Sequence, residues 1–586
     1  MYWKIIYFIT LILGTIVNSE TYQDVICLLN FFDKSKDLKY NVDLELSCNL
    51  EELEMAKQEI LTKHQTNIKT IKKTFLKDGI KSIQHLEEDV EILKKKYFYQ
   101  AIDSLESVDI TTDVPEWILS LEGIQKIMCC RVFKLYKEYF KKYKHLEDSD
   151  QNTFIKFDGI ICVLGGRFNE MYYWDTYWII VGLLECDMEN EAFDLIKSFV
   201  SIIKNLGFIP NGTRKYYLNR TQPPYFTHML NAIYNKTSNS EIKEFIINQG
   251  LDAALIEYDF FMSKRSVTFK NHTLNLYKVT KNTPRIEVYK YDLMTFVESG
   301  KNKDIYSNLA SGAESGWDFS SRWLLDGKNL HTIDIINIIP VDLNSIMLRN
   351  EIIFVKLLRE RKLTEDVCNK IKSLEMAILN RKKAMNDILW NNKEKTFNDL
   401  NIKNKKYTNS RFYISNIYPL YWNSDIKPLE KYSILLKYKK ELFGYEGGIP
   451  VSGEYDGNIT GHQWDFPNAW APCTQLFIDF LLKNNERTMA LHVAKSYYMS
   501  VKKQFIESKL FFEKYNCLFL GEEGKGGEYP VQNGFGWTNG TLIYIIKIFK
   551  TELEEEFDHM GSYNKISDYL TKKVEYLERD VNLRFK

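Results

Sequence analysis

The stretch DTYWIIVGLLECDMENEAFDLIKSFVSIIKNLGF, residues 175–208, leaves little choice of local structure. Tyr177, Ile180, Val181 and Leu184 recur three and four apart, so they share one face of a helix. A short acidic turn comes next, and Phe193, Ile196, Val200 and Ile203 then build a second face ended by Gly207. The spacing predicts an αα-hairpin. Residues 364–390 repeat the theme through Val367, Ile371, Leu374, Ile378, Met385 and Ile388. β-branched alternating runs are scarce, so strands are expected only as short hairpins. No fixed repeat length links the hairpins, which disfavours an open solenoid. Between them run loops rich in Gly, Pro, Trp and Asn: LGGRF, IPNGTR, ESGWD, GGEYPVQNGFGWTNG. Helical hairpins alternating with such loops predict an all-α toroid whose loops converge at one end.

The rest of the chain narrows the setting. Its 78 basic and 78 acidic side chains cancel, which leaves no electrostatic footprint for nucleic acid or an anionic membrane. Residues 49–147 are strongly charged with helical periodicity, and no Gly/Ser/Pro-rich linker separates them from the helical hairpins. The first 19 residues carry Lys4, an apolar run from Ile5 to Val17 and a small polar exit at Asn18-Ser19. That is the pattern of a secretory signal peptide, with an uncleaved anchor as the alternative. The charged end, EYLERDVNLRFK, lacks a GPI-type tail. A soluble protein outside the cell or in the secretory lumen is expected, with a catalytic unit over 20–550 and a charged helical segment over 551–586.

The nine cysteines include no metal-ligand spacing. Cys27 and Cys48, or Cys129 beside Cys130, are bridge candidates, and buried thiols are expected for most. Sequons stand at Asn211, Asn219, Asn235, Asn271, Asn458 and Asn539. Glycosylation is expected at Asn235, Asn271 and Asn458, and is expected to be blocked at Asn211 and Asn539, which lie within motif loops.

Two segments carry chemistry. Residues 164–178, LGGRFNEMYYWDTYW, bring the planar donor fork of Arg167 beside Trp174 and Asp175, an aromatic face next to an acceptor. A polyol needs this mixture of donors, acceptors and apolar platform, although Asp175 would also serve as a helix N-cap. Residues 463–472, QWDFPNAWAP, are too dense in Trp, Asp and Pro for a plain turn.

Both segments closely resemble the diagnostic motifs of the glycoside hydrolase family that contains trehalases. FFDKSKDLKYNVDL, GFIPNGTRKYYLNRTQPP, TPRIEVY, ESGWDFSSRW, IIPVDLN, GGIPVSG and GEYPVQNGFGWTNG run in the family's order, from about residue 27 to 545. The resemblance implies an (α/α)6 barrel, hydrolysis of α,α-trehalose to two glucose molecules, and inversion at the attacked carbon. It places the general acid on Asp318 and the general base on Glu513, with Glu528 as the fallback base. Substrate contacts fall on Arg167, Trp174, Asp175, Asn211, Arg220, Gln222, Arg285, Glu287, Gly316 and Glu528. The chain departs from the family pattern at Ile286, Val288, Lys525, Phe261 and Leu276, none of them the implied acid or base.

Acetal cleavage near neutral pH fits two carboxylates of unlike pKa, roughly 6.5–9.5 Å apart when inverting, so that a water fits between. Taken alone, Asp318 would read as a helix cap for FSSRWLL and Glu513 as the solvated face of a charged helix. The alternatives are another inverting α-glucosidase on a helical toroid, or an inactive trehalose-binding protein that has lost one carboxylate. No cofactor, metal, nucleic-acid partner or membrane partner is expected. Oligomeric state is not encoded in any motif.

Overall fold

In the computed structural model the described residues are 29–30, 39, 43–46, 52–60, 88–96, 98–100, 105–143, 152–408, 411–455, 459–527 and 529–584. The leader, Cys27, Cys48, Asn458 and Glu528 lie outside them.

Twelve helices make the frame: α1 (Gly123–Tyr139), α2 (Asp175–Glu185), α3 (Glu189–Leu206), α4 (Phe226–Lys236), α5 (Leu251–Lys264), α6 (Val341–Leu358), α7 (Glu365–Ala384), α8 (Tyr418–Trp422), α9 (Pro428–Lys437), α10 (Ala471–Lys483), α11 (Arg487–Ser508) and α12 (Gly536–Phe549). The even-numbered helices form a closed inner ring, α2–α4–α6–α8–α10–α12 and back to α2, and the odd-numbered ones lie outside. This is the (α/α)6 barrel. An inner helix must be apolar all round, whereas an outer one needs a single apolar stripe. Accordingly α2 buries Thr176, Trp178, Ile179, Ile180, Leu183 and Leu184 in succession. Its partner α3 buries Leu195, Ile196, Phe199, Val200, Ile202 and Ile203 and sends Lys197 and Lys204 outward. The predicted hairpin is therefore one inner–outer pair. Acidic Glu189 and Glu191 sit in the first turn of α3 and Lys204 in its last, which suits the helix dipole. Gly207 closes it with its N–H on the Ile203 carbonyl at 2.7 Å.

The ring shuts where α12 meets α2, and two glycines allow it. A Cβ on Gly540 would stand 2.0 Å from the Trp178 carbonyl oxygen, and one on Gly182 would stand 2.6 Å from the Gly540 Cα. The backbones touch because neither residue has a side chain.

The charged segment before the barrel is helical at 52–60, 88–96 and through α1. It also forms short strands. Leu105–Ser107, Phe140–Tyr143 and Ile161–Cys162 make one antiparallel sheet. At the other end, α13 (His559–Arg584) packs on α9 and α11 through Ile566, Leu570 and Val574. The seven described cysteines, Cys129 and Cys130 among them, are all free thiols. No helix among the described residues is long and apolar enough to cross a membrane. Asn211 and Asn539 are buried, Asn539 inside α12 rather than in a loop, while Asn271 is exposed at a turn.

Candidate active site

The residues at or just before the first turns of four inner helices meet at one end of the barrel. Asp175 opens α2, Gln222 precedes α4, Trp470 precedes α10 and Phe535 precedes α12, and all four line one cavity of about 840 Å³, open space at its mouth included.

Four carboxylates line this cavity: Glu287, described below with its arginines, and Asp175, Asp318 and Glu513. Asp175 is not a helix cap: the residue before α2 is Trp174, which makes no side-chain cap, and the buried Asp175 carboxyl lines the cavity instead. Burial pushes its pKa well above the ordinary value, a backbone hydrogen bond opposes this, and Glu513 and Asp318 add to the rise. Asp318 does not cap either. Ser320 caps the 3-10 turn Ser321–Trp323, accepting from the Arg322 N–H at 3.1 Å, which leaves the Asp318 carboxyl at the cavity.

Glu513 departs most from its sequence context. Helix α11 ends at Lys509, whose φ is +63°, and the chain turns inward so that Lys514–Asn516 pairs with Asn468–Trp470. Glu513 is consequently 1% exposed. Its Oε1 accepts from the Tyr529 hydroxyl at 2.8 Å and its Oε2 faces the Gln532 N–H at 3.5 Å. Burial raises its pKa, against Lys514, those two hydrogen bonds and Arg167.

A loop of the QWDFPNAW segment holds the Asp318 loop in place. Gln463 donates to the Asp318 carbonyl, and the Trp464 N–H to the Phe319 carbonyl at 3.1 Å. Asp465, fully buried, accepts from Ser320 Oγ at 2.7 Å, from the Ser321 N–H at 3.0 and 3.1 Å, and from Thr460 Oγ1 at 2.6 Å. Trp464 stacks on Trp470 at 3.9 Å and on Trp317 at 5.4 Å, giving the cavity an aromatic wall with Trp174 and Trp537.

The arginines are anchored rather than loose. Arg220 donates to Asn211 at 2.8 Å and to Glu287 at 2.6 Å. Burial alone would raise the Glu287 pKa, but Arg220 and Arg285 outweigh it and keep the carboxylate charged. Arg285 grips Asp292 with Nε and a terminal nitrogen at 3.1 and 2.7 Å. Arg167 lies 4.7 Å over the Tyr529 ring, and its backbone N–H donates to Gln532 at 2.9 Å. Gln222 accepts from the Trp174 N–H at 3.1 Å. Gly316, at φ +73°, backs onto the Trp174 indole, where a Cβ would meet ring carbons at 2.7 Å.

Arg167, Trp174, Asp175, Asn211, Arg220, Gln222, Arg285, Glu287, Gly316, Asp318 and Glu513 thus all line the one cavity, and Glu528 is not among the described residues. Sequence reasoning missed Lys39, Gln463 and Tyr529, which also line it. The only available signal was that all three fall inside motifs already picked out, Lys39 within FFDKSKDLKYNVDL. It also missed Lys514, buried beside Glu513. Burial pushes this ammonium down to about 8, with Glu513 and Asp318 acting against that, and its Nζ donates to the Gly526 carbonyl at 2.8 Å.

A family model described as Trehalase matches residues 38–550. The chain is 38% identical over 417 residues to the trehalase of Dictyostelium discoideum, covering 66% of this chain and 67% of that one. It is 32% identical over 435 residues to a periplasmic trehalase of Escherichia coli O1:K1 / APEC, covering 71% and 74%. Among solved structures, neutral trehalase Nth1 from Saccharomyces cerevisiae matches at a TM-score of 0.56 and 23% identity, over 67% of this chain and 74% of that one.

Proposed function

This chain belongs to the trehalase family, and we propose that it hydrolyses α,α-trehalose to two glucose molecules with Asp318 as general acid and Glu513 as general base. The observation that carries this is the convergence of Asp318, Glu513 and Asp175 on one cavity with a tryptophan wall and anchored arginines. Trehalose carries no charge, so recognition has to come from hydrogen bonds to hydroxyls and from C–H faces against rings. Arg220 and Glu287, locked to each other, offer a donor and an acceptor already in place, so little ordering is left to binding.

Asp318 gives its proton to the bridging oxygen as that C–O bond breaks. Glu513 takes a proton from the water that attacks the anomeric carbon from the opposite face. The buried position of Glu513 raises its basicity, and the hydrogen bond from Tyr529 keeps one oxygen aimed while the other addresses water. Asp175, whose protonated form burial favours, donates a hydrogen bond to a sugar hydroxyl instead of competing as a base. The proton left on Glu513 returns to Asp318 through solvent between turnovers.

The chain works outside the cytoplasm, in keeping with the periplasmic relative and with the leader pattern at residues 1–19. Release of a shortened chain into the medium of expressing cells tests this; retention in the cytosol sinks it.

Glucose release from trehalose measured against maltose tests the substrate. Asp318→Asn and Glu513→Gln should each remove most turnover, about 10²–10⁴-fold. Wild-type rates in folded Glu513→Gln protein would move the base to Glu528. Proton NMR in the first minutes tests the mechanism: attack at one carbon yields one β-glucose and one α-glucose, whereas retention yields two α-anomers. An early spectrum with no β signal overturns the pairing of Asp318 with Glu513.

A further inference from the structure

The inner ring holds a second cavity, of about 550 Å³ with the open space at its mouth included, on the far side of an aromatic layer from the candidate active site. Its lining comes from five of the same inner helices: Tyr177 of α2, with residues of α4, α6, α8 and α10. An aromatic layer divides the two spaces. Trp174 of the catalytic cavity packs on Tyr225 at 6.3 Å, and Tyr225 packs on His228 of the second cavity at 4.8 Å.

Three features of this space are unusual. Arg349 lines it, lies largely in the protein, and has no hydrogen bond or ion pair among the described residues. His228 is 6% exposed, and its Nε2 has no hydrogen-bond partner. Beside them, Tyr421, Trp422 and Phe480 supply ring faces, with Tyr421 and Phe480 at 5.3 Å and Trp422 against His228 at 5.3 Å.

The charges select the ligand's sign. Arg349 and Lys483 are cationic, and Asp479 is the one carboxylate in the lining. Burial, with Arg349 and Lys483 nearby, drives His228 well below its ordinary pKa, so it is neutral. Both cations are themselves lowered by burial, Arg349 with only Tyr177 acting to restore it, so an anion would relieve both. The net cationic lining calls for an anion, and Arg349 can take a phosphate in a bidentate grip. Asp479 and the neutral His228 ring, both able to accept hydrogen bonds, would repel a bare anion or leave it idle. They suit hydroxyl donors on the body of the same ligand, and the ring faces suit its C–H surfaces.

We propose that this second cavity is a binding site for a phosphorylated monosaccharide, its phosphate on Arg349 and Lys483 and its hydroxyls on Asp479 and His228. The site is separate from the catalytic cavity, and its occupancy does not depend on which residues there act as acid and base.

The test is isothermal titration of the full chain with glucose 6-phosphate, inorganic phosphate and glucose as probes. One glucose 6-phosphate should bind per chain, with inorganic phosphate and glucose each about tenfold weaker or more, a gap of about 1.4 kcal/mol. Arg349→Met should abolish glucose 6-phosphate binding. Ala232→Phe, which fills the cavity without touching a charge, should do the same and serves if the first variant does not fold. Both should keep kcat/KM for trehalose within about twofold of wild type. Absence of glucose 6-phosphate binding overturns the proposal, as does binding that survives both substitutions. Inorganic phosphate binding as tightly as the phosphosugar removes the hydroxyl contacts and overturns it too.

Discussion

Asp465 does not line the catalytic cavity, yet the acid loop rests on it. Its buried carboxylate takes hydrogen bonds from Ser320 Oγ, the Ser321 N–H and Thr460 Oγ1, and Ser320 is two residues from Asp318. Asp465→Asn keeps the volume but puts an NH2 where one oxygen was. In either orientation a donor then faces the Ser321 N–H, which both oxygens now serve. Each bond to a charged acceptor contributes about 1.5–3 kcal/mol and each neutral one about 0.5–1.5, so three weakened bonds cost about 3 kcal/mol. Part of that is relieved by letting the loop move. A shift of about 1 Å at a catalytic group can cost about 10²-fold in rate. Arg220, Asn211 and Glu287 bind one another on other loops and keep their places, so kcat should fall while KM changes little. Glucose release with a coupled assay gives kcat and KM, and urea unfolding gives the stability loss. Unchanged kcat in a protein destabilised by the stated amount would show that the brace holds the fold but not Asp318. Unchanged kcat and stability together would refute the account of Asp465 altogether.

Tyr529→Phe removes a donor that favours ionised Glu513, so the base stays protonated to higher pH and the acidic limb of the kcat/KM profile should move up; a limb that stays or moves down breaks the argument. Arg220→Lys keeps the charge but loses the fork that holds Asn211 and Glu287 together, and should raise KM well beyond a surface charge swap; KM within about twofold makes the pair structural. Gly540→Ala drives a methyl into the Trp178 carbonyl at the ring seam and should cost about 3 kcal/mol or more by thermal or urea unfolding; a loss under about 0.5 kcal/mol refutes backbone contact there. Glu257, buried with its pKa raised to about 8, keeps its proton in the folded state after the unfolded chain has lost it. Stability from this group therefore falls as pH rises between about 4.5 and 8, and Glu257→Gln should gain several kcal/mol at pH 8 relative to pH 5.

The sequence spoke most clearly where one helix face repeats. The pair α2–α3 is legible because its apolar positions recur at the helical spacing on both sides of an acidic turn. The ring's closure is not, since it depends on Gly182 and Gly540 meeting across hundreds of residues, and a glycine in an apolar run carries no address. Side-chain direction was the other blind spot. FFEKYN reads as charged helix surface, but the left-handed Lys509 ends α11 and turns Glu513 inward. Asp318 and Asp175 each sit where a cap would, and the capping of the Asp318 turn is done instead by Ser320.

The buried polar groups explain why the tryptophan wall alone would not make a site. Arg322 is buried between Asp342 and Asp399, with four bonds of 2.6–2.9 Å, and stacks on Trp317 and Trp323. Asp399 also accepts from the Val341 N–H at the start of α6. One guanidinium therefore ties the segment after Asp318 to the first turn of an inner helix, while Asp465 ties it to the segment before α10. Breaking the Arg322 tie would leave buried charge uncompensated, a cost of about 3–5 kcal/mol, and the Asp465 tie adds the hydrogen bonds weighed above, so the loop has few alternative positions. Both anchors lie within four residues of Asp318 and lead to the starts of two different inner helices of a closed ring, so the carboxyl of Asp318 has little room to shift. A catalytic carboxyl on a loop is ordinarily the mobile part of a site. Here the loop takes on the rigidity of the barrel, which is what delivery of a proton to one bridging oxygen requires.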